Sequence, residues 1–121
     1  MLKALKNIPK RCKNAMYYSL CGLGSAFRKE EAVKLETLAL VLLVAILFIV
    51  PWPAWKKVAL VAAYLLVPFT ELLNSAIEDV CDLVSPEYNE KVKTAKDKGS
   101  AAVLVAIIFD FVVLAALVKA P

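Results

Sequence analysis

Histidine is missing from this 121-residue chain, and glycine occurs only at positions 22, 24 and 99. Without histidine, zinc centres of the usual His/Cys kind are implausible. With so few glycines there is neither a GxxxxGK[ST] loop nor a kinase glycine loop, so both standard nucleotide cradles are lacking. The three cysteines, Cys12, Cys21 and Cys81, form no CxxC pair, and reduced thiols are expected. No basic groove interleaved with aromatics is present, which argues against nucleic acid as a partner. A signal peptide is not expected, since no compact apolar core or small-residue cleavage site follows the basic N-terminus within the first thirty residues. Repeats and low-complexity tracts are also absent.

What the chain has in excess is apolar residues. Hydrophobic side chains make up 61% and charged ones 21%, too greasy a mixture for an ordinary soluble domain of this length. The expected fold class is an all-α membrane protein, with residues 1–32 as an amphipathic surface region and residues 33–121 as a three-helix transmembrane domain. Its apolar runs begin at Val33, Val58 and Gly99, with spans at about 33–50, 58–81 and 95–118. The first has an uninterrupted apolar stretch only from Thr37 to Val50, so Lys34 and Glu36 must lie at the interface or the span must begin among headgroups.

Basic residues set the direction of the chain. Residues 1–34 carry Lys3, Lys6, Lys10, Arg11, Lys13, Arg28, Lys29 and Lys34, and the second loop carries Lys91, Lys93, Lys96 and Lys98. The opposite side has only Lys56, Lys57 and Lys119, so the positive-inside rule puts the N-terminus and the second loop in the cytoplasm. The net charge of +4 suits an anionic membrane face.

From Leu2 to Phe27, the apolar positions Leu2, Leu5, Ile8, Cys12, Met16, Leu20, Leu23 and Phe27 recur every three or four residues with lysines between them. This pattern predicts an amphipathic helix, continuous from about Pro9 and lying flat on the cytoplasmic leaflet. The outer turn reads VPWPAWKK, where two prolines stop the helix and Trp52 and Trp55 serve as interfacial anchors. Pro68, inside the second span, predicts a kink.

The most informative string is ELLNSAIE at 71–78. A carboxylate near mid-membrane costs roughly 2.5–3.5 kcal/mol on insertion scales, so an intramembrane acid is read by default as part of a site. Successive helical residues turn by about 100°, so Glu71, Asn74, Glu78 and Asp82 form one polar stripe. Polar contacts between helices could explain such a stripe. Two acids and an amide, joined by Lys96, Asp97 and Ser100 at the mouth of the next span, exceed what packing needs and fit a polyphosphate and metal site. Carboxylates with an amide suit a hard, oxygen-seeking cation such as magnesium. Phosphoryl transfer needs this inventory: a metal bridging phosphate oxygens, a cation on the transferring group, and a base on the attacking hydroxyl.

ELLNSAIEDVCD at 71–82, EY at 87–88 and AKDKGSAAVLVAII at 95–108 resemble the small integral-membrane diacylglycerol kinases of bacteria, from about Arg11 to the end of the third span. The resemblance implies ATP-dependent phosphorylation of diacylglycerol to phosphatidic acid in the inner (cytoplasmic) membrane. It further implies a homotrimer of three-span subunits with sites shared between neighbours. By matching position, Glu71 would be the general base, and Glu30 and Glu78 would hold the magnesium that accompanies ATP. Arg11, Tyr18, Glu87, Tyr88, Asn89, Lys96 and Asp97 would contact the nucleotide. Asn74 and Asp82 would order the site, while Ser100 and Glu36 would lie near the lipid.

The chain departs from the best-known enterobacterial pattern at several positions. Asn89 stands in place of a histidine, Leu20 and Phe27 in place of tryptophans, Cys21 and Gly24 in place of basic residues, and Asp110 in place of an apolar residue midway along the third span. Relatives that phosphorylate undecaprenol share the catalytic framework and are the nearest alternative. A small oligomeric transporter is a more distant one, for which Asp110 would be the most suitable residue.

Overall fold

The computed structural model describes residues 8–121, which are helical apart from short connections and contain no strand. Leu2, Lys3, Leu5 and Lys6, assigned from sequence to the amphipathic pattern, lie outside the described residues. The chain divides into two units, one ending at Glu31 and the other comprising Ala32–Pro121.

In the first unit, α1 runs over Ile8–Lys29. Pro9 falls in its first turn, where a missing amide leaves no intrahelical bond unmade. Arg28 and Lys29 occupy the last turn, where cations meet the negative end of the helix dipole. Arg28 Nε also donates to the Gly24 carbonyl at 3.0 Å.

The second unit contains three helices long and apolar enough to cross a membrane. α2, Glu31–Ile49, has 19 residues and is about 28 Å long at 1.5 Å per residue, close to the thickness of a hydrocarbon layer. The middle span is α3 (Ala54–Tyr64) followed by α4 (Leu66–Val84). The break between them follows from Pro68, which has no amide to offer the Tyr64 carbonyl four residues back; helical bonding resumes from Phe69, whose amide donates to the Leu65 carbonyl at 3.2 Å. α5, Glu90–Lys119, has 30 residues, or about 45 Å, so its polar first turns extend past a hydrocarbon layer of ~30 Å. The second and third helical stretches are therefore longer than the expected spans. An apolar scan stops at the first cluster of charges, whereas backbone hydrogen bonding continues through it.

Apolar packing is concentrated at one end, where Leu47, Leu60 and Leu117 form a buried cluster flanked by Leu43, Trp52 and Val113. Beside it lies Lys56, which the sequence places in the outer turn as an ordinary basic residue. Its side chain is only 5% exposed; Nζ donates to the Ala120 carbonyl at 2.6 Å and lies 5.9 and 5.6 Å from the Trp52 and Trp55 ring centres. The two indoles thus lie within cation–π reach of a buried ammonium. Along α5, Ala95, Gly99, Ala102 and Ala106 recur every three or four residues, and Gly99 and Ala106 are buried. In lipid, small residues of this kind let helix backbones approach where no hydrophobic gain drives them together. Many large apolar side chains stay exposed on the isolated chain, among them Phe48, Ile49, Val105 and Phe111.

Candidate functional site

The polar stripe lies on the seam between α4 and α5. Asn74 is 6% exposed, and its Nδ2 donates to Glu78 Oε1 at 3.1 Å, one helical turn further on. Its Oδ1 is buried without a hydrogen-bond partner and faces Gly99 on α5. One turn beyond Glu78, Asp82 Oδ1 accepts a hydrogen bond from Lys96 Nζ at 2.6 Å, joining the end of α4 to the start of α5. Four expected site residues, Asn74, Glu78, Asp82 and Lys96, therefore form a contiguous band across two helices.

The remaining expected residues occupy varied positions. Glu71 is half-buried on α4. Glu36, on α2, is near enough for its charge to interact with that of Glu71, and its Oε2 is buried without a partner. Asp97 is exposed and pairs within its own helix, accepting from Lys93 Nζ at 2.7 Å. Ser100 is exposed on α5. In the loop, the Glu87 carbonyl accepts from Ser85 Oγ at 3.1 Å, and Tyr88 is exposed. Asn89 is the N-cap of α5, its Oδ1 accepting from the amides of Lys91 and Val92 at 2.9 and 3.4 Å. Arg11 and Tyr18 are exposed on α1, with the Tyr18 ring edge-on to Tyr17, and Glu30 follows the last residue of that helix.

Two residues near the site carry contacts that sequence reasoning passed over. Tyr64 donates its hydroxyl to the Glu36 main-chain carbonyl at 2.8 Å and lies within electrostatic reach of Asp110. A signal for it exists: Tyr64 precedes Glu71 by seven residues and so extends the same helical stripe by two turns. Gly99 is visible in sequence only as part of a motif. Its closeness to Asn74 depends on the relative register of two helices, which no local pattern encodes.

A cavity of about 380 Å³ opens along this seam, lined by Thr70, Asn74, Ile77, Lys98, Gly99 and Ala102. A larger one of about 460 Å³ lies between α2 and α3, where Lys57 is the one charged side chain among Val44, Leu47, Phe48, Val61 and Leu65. With no acid and no amide, the larger cavity lacks the groups for phosphoryl chemistry, and the α4–α5 seam is the candidate site.

No group of three or more His, Cys, Asp or Glu side chains converges among the described residues. Magnesium does not require such a cluster, because it keeps several waters and commonly takes only one or two protein carboxylates together with substrate phosphates. The seam offers a hard oxygen donor of the type magnesium prefers, the Glu78 carboxylate, while Asn74 Oδ1 is enclosed against Gly99.

Comparison with known proteins gives a consistent result. A family model described as prokaryotic diacylglycerol kinase matches residues 17–118. The diacylglycerol kinase of Escherichia coli K12 is 44% identical over 98 residues, covering 81% of this chain and 80% of that protein. That of Pseudomonas aeruginosa is 43% identical over the same length and coverage. The Helicobacter pylori diacylglycerol kinase is 34% identical over 105 residues, covering 83% of this chain and 78% of that protein.

Proposed function

The chain belongs to the prokaryotic diacylglycerol kinase family, and we propose that it transfers the γ-phosphate of ATP to the free hydroxyl of diacylglycerol, yielding phosphatidic acid and ADP. The reaction takes place at the cytoplasmic face of a bacterial inner membrane. The N-terminus and second loop lie in the cytoplasm, where the excess of lysine and arginine lies. α1 serves as the amphipathic surface helix. The active unit is a homotrimer, since three short spans alone could hardly enclose both ATP and a lipid.

The observation that carries this reading is the contiguous band Asn74, Glu78, Asp82 and Lys96 across the α4–α5 seam in a family of lipid kinases. Glu71 is the general base. It accepts the proton of the diacylglycerol hydroxyl as that oxygen attacks the γ-phosphorus in line with the departing ADP oxygen. Glu78 and Glu30 hold magnesium, which when bound supplies positive charge to the phosphate oxygens. Asn74 keeps the Glu78 carboxylate oriented through its amide. Lys96, held at the mouth of the seam by Asp82, presents a cation to the polyphosphate, and Asp97 with Glu87, Tyr88 and Asn89 borders the nucleotide. Arg11 and Tyr18 contact the nucleotide from α1. Ser100 and Glu36 lie on the lipid side.

Magnesium-dependent transfer of label from the ATP γ-phosphate in mixed micelles, to diacylglycerol and separately to undecaprenol, tests the proposal. Labelled phosphatidic acid that disappears in folded Glu71→Gln is the expected result. Label on undecaprenol alone changes the substrate and keeps the mechanism. Label on neither lipid, or near-normal turnover by Glu71→Gln, overturns the reading.

A further inference from the structure

We propose that Gly99 is a positioning residue for the reaction: its missing side chain makes the space in which Asn74 lies, and through Asn74 it sets the Glu78 carboxylate. The inference rests on the reading of Glu78 as a magnesium-holding residue and adds to it a residue on the opposite helix.

The argument begins with shape. A Cβ added at Gly99 would overlap Asn74 Oδ1 and lie 3.2 Å from Asn74 Cγ and 3.7 Å from its Cα. The contact to Oδ1 is closer than real atoms of this kind come and the one to Cγ is also tight, whereas 3.7 Å to Cα is ordinary packing, so it is the Asn74 side chain that would have to leave its place. Gly22 and Gly24 differ in this respect. A Cβ at Gly22 meets nothing within 4 Å, and one at Gly24 meets only the end of Arg28 at 3.8 Å. Gly99 is thus the glycine whose lack of a side chain is used.

Chemistry gives that space a consequence. Asn74 Oδ1 has no conventional donor, and the Cα–H of Gly99 is the group facing it, a weak but favourable contact for a buried carbonyl. With Oδ1 turned to Gly99, the other end of the same rigid amide turns to Glu78, where Nδ2 donates at 3.1 Å. The glycine therefore selects which face of the Asn74 amide the carboxylate meets. Helix propensity argues for the opposite residue. Glycine is among the poorest helix formers, and Gly99 is the tenth residue of α5, so backbone energetics alone would favour alanine.

The experiment is a magnesium titration of lipid phosphorylation, paralleled by a direct titration of manganese binding followed by electron paramagnetic resonance, for the wild-type enzyme, Gly99→Ala, Asn74→Ala, the double variant and Glu78→Gln, with circular dichroism and size-exclusion profiles confirming the fold. Removing a hydrogen bond to a charged group changes an equilibrium by roughly tenfold or more. Gly99→Ala and Asn74→Ala are each expected to raise the magnesium concentration for half-maximal rate by about that factor. The double variant should match the singles within about twofold, since the alanine methyl then fills the volume the amide has left. Losses that multiply in the double variant overturn the coupling. A raised magnesium requirement in Glu78→Gln with none in Gly99→Ala overturns the positioning role alone, whereas an unchanged requirement in Glu78→Gln overturns the reading beneath it as well. If Gly99→Ala fails to fold, adding Asn74→Ala must restore folding, and a double variant equally unfolded also overturns the proposal.

Discussion

Replacing Lys56 with methionine tests how the helical unit is held at the end away from Glu78 and Lys96. The Nζ hydrogen bond to the Ala120 carbonyl is short, 2.6 Å, and bonds from charged groups contribute about 1.5–3 kcal/mol. The Trp52 and Trp55 rings lie 5.9 and 5.6 Å away, near the outer limit of cation–π attraction, so each adds about 0.5 kcal/mol. Against a gross gain of about 2.5–4 kcal/mol stands the cost of keeping an ammonium out of water, of the order of a few kcal/mol. Methionine preserves the apolar stem and carries no charge to desolvate. The net loss expected for Lys56→Met is therefore at most about 2 kcal/mol. Unfolding in mixed micelles by titration with a denaturing detergent, followed by circular dichroism, measures it. Turnover per folded molecule should be unchanged, because Lys56 and Ala120 lie at the opposite end of the helices from Glu78 and Lys96. Unaltered stability would show that the buried cation contributes nothing net, and lost turnover in fully folded protein would show that the two ends are not independent.

Two other substitutions separate structural from catalytic roles. Asn89→Ala removes the N-cap of α5 and should cost about 1 kcal/mol in thermal unfolding, while Asn89→Asp should retain the cap; unchanged stability with a raised KM for ATP would instead mark the side chain as a nucleotide contact. Asp110 Oδ1 is buried with no partner, so Asp110→Ala should stabilise the protein by about 1–3 kcal/mol and keep its kinase activity; loss of phosphoryl transfer would give the acid a catalytic part.

How much of this was legible in the sequence depended on whether the relevant contact was local. Asn74 and Glu78 are four residues apart, and their hydrogen bond follows from helical periodicity alone. Pro68 announces the break at Leu65 for an equally local reason. The ends of the long helices were less legible, because Glu31 and Lys34, or Glu90 to Lys98, interrupt an apolar run without interrupting backbone hydrogen bonding. Contacts across helices were hidden. The Asp82–Lys96 pair and the closeness of Gly99 to Asn74 require the register of α4 against α5, and Lys56 reaches a carbonyl 64 residues away. A buried lysine bound to the final turn of the third span has the same local signature as one that faces solvent.

The contrast between the two ends of the helical unit has a mechanical consequence. At one end, three interlocked leucines and a buried cation tie α2, α3 and the close of α5 together. At the other, α4 and α5 meet closely at Asn74 and Gly99 and are joined further on by the Asp82–Lys96 pair, which is open to solvent and weak. Between them the middle span is jointed at Leu65. Such a unit is braced near both ends, by leucine packing at one and by the close approach of Asn74 to Gly99 at the other, so any bending of the middle span is concentrated at Leu65.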